Sequence, residues 1–148
     1  MAYKIIIAEA DFYLGDRDGA IDMLYKIIND ESQESFYLKA LAITNLTAFL
    51  FDEERYADII SLEKAVNEIR KLGYEEQLID SHYYLAVSHF YSGNKVDSLF
   101  FLKLSLKILT ANKRFVWSLA NHLLIGKKIH YIDYIQIKSA IQIFMQDQ

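Results

Sequence analysis

The sequence predicts an all-α fold, an α-solenoid of about four stacked helix-turn-helix units. Three observations predict it. The chain of 148 residues has no Pro, although average usage of about 5% would give roughly seven, and this favours long uninterrupted helices. Apolar residues such as Ile21, Leu24 and Ile28 recur with helical spacing. Four of the five Gly residues fall between such segments, where helices are expected to end.

The first four helices are bounded by residues that end or begin helices. Gly15 ends the first helix, and the carboxylate of Asp16 can cap the second. The third helix is a long apolar run without Gly. In the fourth, Ile59 and Val66 lie on one face, and Gly73 follows. The expected ranges are 2–14, 17–29, 34–51 and 55–72.

The last four helices follow the same rules. Gly93 ends the fifth helix, and Asn94 can cap the sixth, in which Leu99 and Leu106 share a face. Gly126 separates the last two. The expected ranges are 75–92, 95–110, 113–125 and 128–146. Together the eight helices form a single domain, 1–148, with units at about 2–31, 34–72, 75–110 and 113–146.

The chain also matches itself at a fixed interval, which we call the repeat spacing and define as the distance in sequence from Phe12 to Phe51. Phe51 and Phe90 are separated by the same interval, and Gly15 and Gly93 by twice that interval. Each repeated unit consists of a helix, a tight turn and a second helix. Such a unit cannot bury its apolar stripe alone, so neighbouring units are expected to stack.

These repeats resemble the tetratricopeptide repeat family. Segment 12–28 carries the family's aromatic residue, Gly-Asp turn, Ala-Ile pair and aliphatic second helix, and segment 84–95 carries the same first-helix pattern. Glu54 replaces the turn Gly in the middle unit, Glu63 stands where an apolar residue is usual, and the period is longer than the family's usual length of about 34 residues. The resemblance implies stacked helical hairpins with a concave groove that binds a protein or peptide segment.

The long repeat without Pro also resembles the repeat domains of bacterial peptide-sensing regulators and aspartate phosphatase-type regulators. This resemblance leaves a second hypothesis open, a regulatory, peptide-sensing domain of a transcriptional or phosphatase-type regulator. In that case a DNA-binding or enzymatic part is absent or is supplied by another chain. An unrelated helical bundle with similar helix spacing is the remaining alternative for the fold.

Catalytic and metal-binding motifs are missing from the sequence. It has no Gly-rich phosphate loop, dinucleotide fingerprint, His-Glu-x-x-His motif or Gly-x-Ser-x-Gly elbow. With no Cys, a thiolate zinc site is excluded. His82 and His89 are seven residues apart on one helix face, and we interpret them as hydrogen-bonded core residues rather than metal ligands. A helical-bundle enzyme therefore ranks last, and no cofactor is expected.

Composition and charge indicate a cytoplasmic protein that binds neither membranes nor nucleic acid. No apolar run approaches the roughly 20 residues of a spanning helix. The formal net charge is −4, and basic residues such as Lys113 and Arg114 are too sparse for the clustered cations that phosphate binding requires. A protein or peptide is the expected partner.

The candidate binding groove lies along the first helix of each unit. In the third unit, Tyr83, Val87, Phe90 and Tyr91 follow helical spacing on one face, which the resemblance places on the concave side. The matching positions are Ile5, Glu9, Phe12 and Tyr13 in the first unit and Thr44, Ala48, Phe51 and Asp52 in the second. The groove is therefore expected to be aromatic and slightly acidic, and its ligand an apolar or basic segment. Packing of these aromatics between units is the alternative. The candidate residues are Glu9, Phe12, Tyr13, Phe51, Asp52, Tyr83, Val87, Phe90 and Tyr91.

The last predicted helix indicates self-association. Apolar residues occupy nearly every side of 128–146, whereas the terminal helix of a solenoid usually has a polar outer face. An exposed apolar strip of this kind usually marks an interface. We therefore expect a homodimer through residues 128–146, unless this helix folds back onto the array.

Overall fold

The computed structural model of the chain describes residues 2–32 and 35–111, with side chains as far as residue 105. Within these residues the fold is all-α, as predicted, and no strand occurs. The predicted helices 113–125 and 128–146, and with them the fourth unit and the predicted dimer contact, lie outside the described residues. The helices are α1 (Ala2–Leu14), α2 (Arg17–Asn29), α3 (Phe36–Asp52), α4 (Tyr56–Ser61), α5 (Glu63–Lys71), α6 (Ile79–Tyr91) and α7 (Lys95–Ala111), with a short 3₁₀ helix at Glu76–Leu78.

Short polar side chains cap the first turn of two of these helices. The carboxylate of Asp16 accepts a hydrogen bond from the amide of Gly19 at 3.2 Å at the start of α2. The hydroxyl of Ser35 accepts one from the amide of Leu38 at 3.3 Å at the start of α3. Each cap satisfies an amide that has no partner inside the helix. The cap at Ser35 also explains why α3 begins at Phe36.

The helix predicted over 55–72 is divided into α4 and α5, which meet at Leu62. The amide of Leu62 donates to the carbonyl of Ile59 at 3.0 Å, a bond to the third preceding residue that tightens the chain into a 3₁₀-type turn. Glu63 follows at once, at a position whose counterpart in α2, one repeat spacing earlier, is the buried Leu24. The Glu63 side chain is 36% exposed, and a polar partner stabilises its half-buried carboxylate. Its partner is His89 of α6, with Glu63 Oε1 2.6 Å from His89 Nε2.

The turns after α1, α3 and α6, at 12–16, 51–55 and 90–94, share one set of backbone hydrogen bonds. The last residue of each turn, which is Asp16, Arg55 or Asn94, donates its backbone amide to the carbonyl five residues earlier. The donor–acceptor distances are 2.9, 2.8 and 2.8 Å. The preceding residue has a positive φ in all three turns: 111° at Gly15, 57° at Glu54 and 81° at Gly93. Successive turns are separated by the repeat spacing that the sequence matches define. The middle turn uses Glu54 where the other two use Gly.

The described helices pack mainly on their neighbours in the sequence. α1 pairs with α2, and α3 lies against both. α3 also contacts α4, α5 and the 3₁₀ helix, while α6 lies against α3 and α4 and is covered by α7. The core passes through each of these contacts, with Leu24, Leu46, Leu50, Ile59 and Leu85 fully buried. None of the described helices combines the length and the hydropathy needed to cross a membrane.

Candidate functional site

The nine predicted groove residues differ in burial. Phe12, Tyr83 and Val87 are only 2%, 4% and 1% exposed. These three pack between helices, as the alternative interpretation expects, and present almost no surface to a partner. The other six are half-buried or exposed: Glu9, Tyr13, Phe51, Asp52, Phe90 and Tyr91.

Phe12 joins α1 to α3 and does not stack on Phe51. Its ring stacks face to face on Phe49, with the centroids 4.0 Å apart and the planes within 4°. The guanidinium of Arg17 lies 4.6 Å from the centroid of the same Phe12 ring. Arg17 also pairs with Asp52 of α3 at 3.0 Å and with Glu53. The start of α2 is thereby attached to both neighbouring helices.

Phe51 belongs to an aromatic cluster between α3, α4 and α6. Its ring centroid lies 4.6 Å from that of Tyr84 and 6.0 Å from that of Tyr56. Tyr56 stacks on Tyr91 with the centroids 4.8 Å apart. The residues one repeat spacing before Tyr56 and Tyr91 are Arg17 and Asp52. Arg17 and Asp52 form the ion pair between α2 and α3.

Acidic and phenolic groups from three helices lie on one side of the molecule. Burial raises the pKa of Tyr84, and the negative charges of Asp80, Tyr13 and Asp52 raise it further. Ring contacts join the three helices that carry these groups: Tyr84 of α6 lies 4.6 Å from Phe51, the residue before Asp52 in α3, and Tyr13 of α1 lies 6.3 Å from Phe49 of α3, between ring centroids. Tyr13 is 74% exposed, and Glu9 precedes it by one helical turn. We name this surface the acidic–aromatic face, comprising Glu9, Tyr13, Asp52, Asp80, Tyr91 and Tyr84, of which Tyr84 is only 9% exposed.

Sequence reasoning found four members of this face and missed Asp80 and Tyr84. The missing signal was the spacing of Asp80, Tyr84 and Tyr91, which share one side of α6 at intervals of four and seven residues. Tyr91 is also the repeat equivalent of Asp52 in α3 and of Tyr13 in α1. The predicted face was thus rotated by about one residue, which turned it towards the core.

The two histidines of α6 are core residues, as interpreted from the sequence. His82 is completely buried, and its Nε2 lies 3.5 Å from Nη1 of Arg70. Both His82 and His89 stack on Phe101 of α7, with ring centroids 6.1 and 5.7 Å from it. Burial and the positive charge of Arg70 lower the pKa of His82 to about 4. His82 is therefore neutral at physiological pH.

This arrangement does not assemble a metal site. The ring of Phe101 contacts both histidine rings, and a metal ion bound by both would have to displace it. His89 already contacts Glu63 through Nε2 and Asn94 through Nδ1, at 2.6 and 3.2 Å. In the part of the chain that the structure describes, no three His, Cys, Asp or Glu residues are grouped as metal ligands.

No protein-family model, curated protein or solved structure matches this chain. The likeness to tetratricopeptide repeats accordingly stays a prediction from the sequence. The function of the protein is inferred from its own residues and their geometry.

Proposed function

We propose that the protein is a non-catalytic, cytoplasmic scaffold whose tetratricopeptide-like units stack as an α-solenoid. Its ligand is a basic, partly apolar segment of a protein or peptide, bound on the acidic–aromatic face. The observation that carries this proposal is that the exposed Tyr13 ring lies beside α3, 6.3 Å from Phe49 between ring centroids, where Asp52 follows Phe49 by about one helical turn. Asp80 lies on the side of α6 that carries Tyr84 and Tyr91. The net charge of −4 makes a protein or peptide a better ligand than a nucleic acid.

Two features support the stacked arrangement. Helix pairs pack mainly on the pairs next to them in the sequence, which is the pattern of repeat proteins. The turns at 12–16, 51–55 and 90–94 have the same backbone hydrogen bonds, so the same change of direction recurs along the chain. Stacked units of this kind carry one helix face of each unit on a continuous surface, and such surfaces bind extended partners.

Arg17 provides an internal example of the recognition we propose. Its guanidinium pairs with the carboxylates of Asp52 and Glu53 and lies over the ring of Phe12. Arg binds well where carboxylates and an aromatic ring meet, because it forms planar ion pairs and stacks on rings. A ligand Arg or Lys beside Tyr13 and Glu9 would have the same two kinds of contact.

The test is selection of binders from a displayed library of random peptides, followed by affinity measurements on variants of the protein. We expect the selected peptides to be enriched in Arg or Lys together with aromatic or aliphatic residues. Tyr13→Ala should weaken their binding by about 2 kcal/mol, or about 30-fold in Kd, if Tyr13 is a hot spot. Binding should also weaken with rising salt, because the ionic contacts are near the surface.

Tyr37→Ala is the matched control, since Tyr37 is 48% exposed at the other end of α3. It should leave both affinity and melting temperature nearly unchanged. Equal loss of binding in Tyr13→Ala and Tyr37→Ala would contradict the proposed surface, as would binding that is independent of salt. A strong preference for short free peptides over the same sequences within folded proteins would favour the alternative, a peptide-sensing regulatory domain.

A further inference from the structure

A second exposed stripe runs along α1, on a different side from the acidic–aromatic face. Tyr3, Ile7, Ala10 and Leu14 are separated by four, three and four residues, the spacing that keeps side chains in one line along a helix. Tyr3, Ile7 and Leu14 are 61%, 43% and 85% exposed. Exposed apolar residues in a line are typical of a surface that another helix covers.

The equivalent positions of α3 and α6 indicate what such a stripe contacts. In α3, one repeat spacing after Ile7, Leu46 is completely buried, and Phe49 of the same stripe stacks on Phe12 of α1. In α6, the hydroxyl of Ser81 lies 3.0 Å from that of Thr47 in α3. These are the positions by which α3 and α6 contact the preceding helices. The stripe of α1 has the same form and is exposed among the described residues.

An open groove of about 590 Å³ lies beside the stripe, between α1 and α2. Tyr3, Ile7 and Met23 contribute its apolar lining. Its charged lining comprises two lysines and two aspartates, so it favours neither a strongly basic nor a strongly acidic ligand. A groove with balanced charge does not repel another copy of itself, as a two-fold contact requires.

We propose that a second copy of the chain covers this stripe and groove in a two-fold dimer, with the two α1 helices packed antiparallel. In this alignment Tyr3 lies opposite Leu14 of the second copy, and Ile7 lies opposite Ala10. The two central pairs then set the large Ile7 against the small Ala10, and Tyr3 and Leu14 fill the two ends of the contact.

The charges that flank the stripe set the antiparallel direction. Lys4 and Asp11 are seven residues apart and therefore lie on the same edge of α1. Antiparallel packing brings Lys4 of each copy towards Asp11 of the other, and the two-fold axis repeats the pair. In parallel packing the two copies of this edge would lie on opposite sides of the contact, so Lys4 and Asp11 would form no such pairs, and flanking charges decide such choices in paired helices.

The mass of the full chain in solution tests the proposal, measured by light scattering and sedimentation at micromolar concentrations. We expect twice the chain mass of 17.3 kDa. Ile7→Glu should raise the dissociation constant at least about 100-fold, because a charge would enter the contact twice. Val96→Glu is the control, since Val96 is 82% exposed on α7 and away from α1, and it should leave the dimer unchanged.

A charge exchange tests the antiparallel direction. Lys4→Glu should weaken the dimer about tenfold through two repulsive pairs, and Lys4→Glu combined with Asp11→Lys should restore it. Circular dichroism of the dissociated Ile7→Glu chain should show the same helix content as the wild type, which distinguishes loss of the contact from loss of folding. A monomeric wild-type chain overturns the proposal. A dimer that survives Ile7→Glu also overturns it, and would assign the association to another surface such as residues 128–146. A charge exchange that fails to restore the dimer overturns it as well.

Discussion

Glu54 adopts the left-handed backbone conformation, with a φ of 57°, in the turn between α3 and α4. This conformation costs an L residue with a Cβ atom roughly 1–2 kcal/mol and costs Gly almost nothing. We therefore expect Glu54→Gly to raise the free energy of unfolding by about 1 kcal/mol, after part of the gain is lost to the greater freedom of Gly in the unfolded chain. Urea unfolding monitored by circular dichroism measures this change.

Gly93→Ala is the reciprocal control, because Gly93 has a φ of 81° in the equivalent turn after α6. Here a Cβ atom meets no neighbouring atom within 4 Å, so the cost of the substitution is conformational. This variant should be less stable by about 1–2 kcal/mol. If Glu54→Gly and Gly93→Ala shift the stability in the same direction, the backbone explanation is wrong.

The buried His82 makes stability depend on pH. Its pKa is about 4 in the folded protein and 6.5 in the unfolded chain, so the unfolded chain binds more protons below about pH 6.5. Protonation of His82 therefore has almost no effect on the free energy of unfolding above pH 7. Below pH 7 it lowers that free energy progressively as the pH drops towards 4. Between pH 7 and pH 5 the loss is about 2 kcal/mol.

Comparison with His82→Leu separates this effect from that of the carboxylates. Both proteins lose stability as carboxylates are protonated, but only the wild type loses the contribution of His82. Urea unfolding at pH 7 and pH 5 should therefore show a steeper decline for the wild type. The readout is the slope with pH, so a lower absolute stability of His82→Leu does not affect it. Equal slopes in the two proteins would refute the assignment.

At the scale of helices, the contact between α1 and α3 depends on one aromatic pair. Phe12 is 2% exposed and stacks on Phe49. Phe12→Ala removes this ring and leaves a cavity, so we expect a loss of about 3–5 kcal/mol in the free energy of unfolding. Phe36→Ala, at a side chain that is 43% exposed at the start of α3, should cost less than about 1 kcal/mol. Similar losses in both variants would mean that Phe12 is not a core residue.

The helices were more predictable from the sequence than the turn within the second pair. The ranges predicted for the first two helices, 2–14 and 17–29, agree with α1 and α2. Gly15 favours the end of the first helix, and Asp16 favours the start of the second as its capping residue. The division at Leu62 was not predicted, since the apolar spacing continues from Ile59 through the break. Its signal was Glu63, a charge at an otherwise apolar position, whose partner His89 is distant in the sequence.

The site was less predictable, for a geometric reason. Phe12 and Tyr13 are adjacent and both aromatic, yet one is 2% exposed and the other 74%. Successive residues of a helix differ by about 100° in direction, and α1 carries apolar residues on most of its sides. Helical spacing alone then does not identify the side that faces α3. The stacking partner of Phe12, Phe49, is also not part of the repeated Phe pattern that predicted an aromatic ladder.

For the molecule as a whole, the helices should differ in how readily they open. α3 and α6 have packed helices before and after them, whereas α1 packs only on α2 and α3 among its main contacts. In proteins built from successive units, each unit is stabilised chiefly by its neighbours. We expect amide hydrogens of α1 to exchange through openings of lower free energy than those of α3 and α6.

This measurement is best made on the Ile7→Glu chain, in which no second copy covers α1. Native-state hydrogen exchange followed by mass spectrometry of proteolytic fragments separates the three helices. Uniform protection of α1, α3 and α6 would indicate one cooperative unit, and would contradict a neighbour-by-neighbour organisation. Restored protection of α1 in the wild type at high concentration would be the sign of the dimer.

The Arg17–Asp52 ion pair and the Tyr56–Tyr91 stack have a consequence for folding. Chains built from similar segments can assemble in the wrong order, with one segment docked in the place of another. Here the two equivalent contacts differ in chemistry, one ionic and one aromatic. If the first helix pair docked where the second belongs, Arg17 would meet Tyr91 without a carboxylate, and the Tyr56 ring would lose its stack. The wrong order would thus lose both the ion pair and the aromatic stack, and we expect this difference to disfavour misordered assembly.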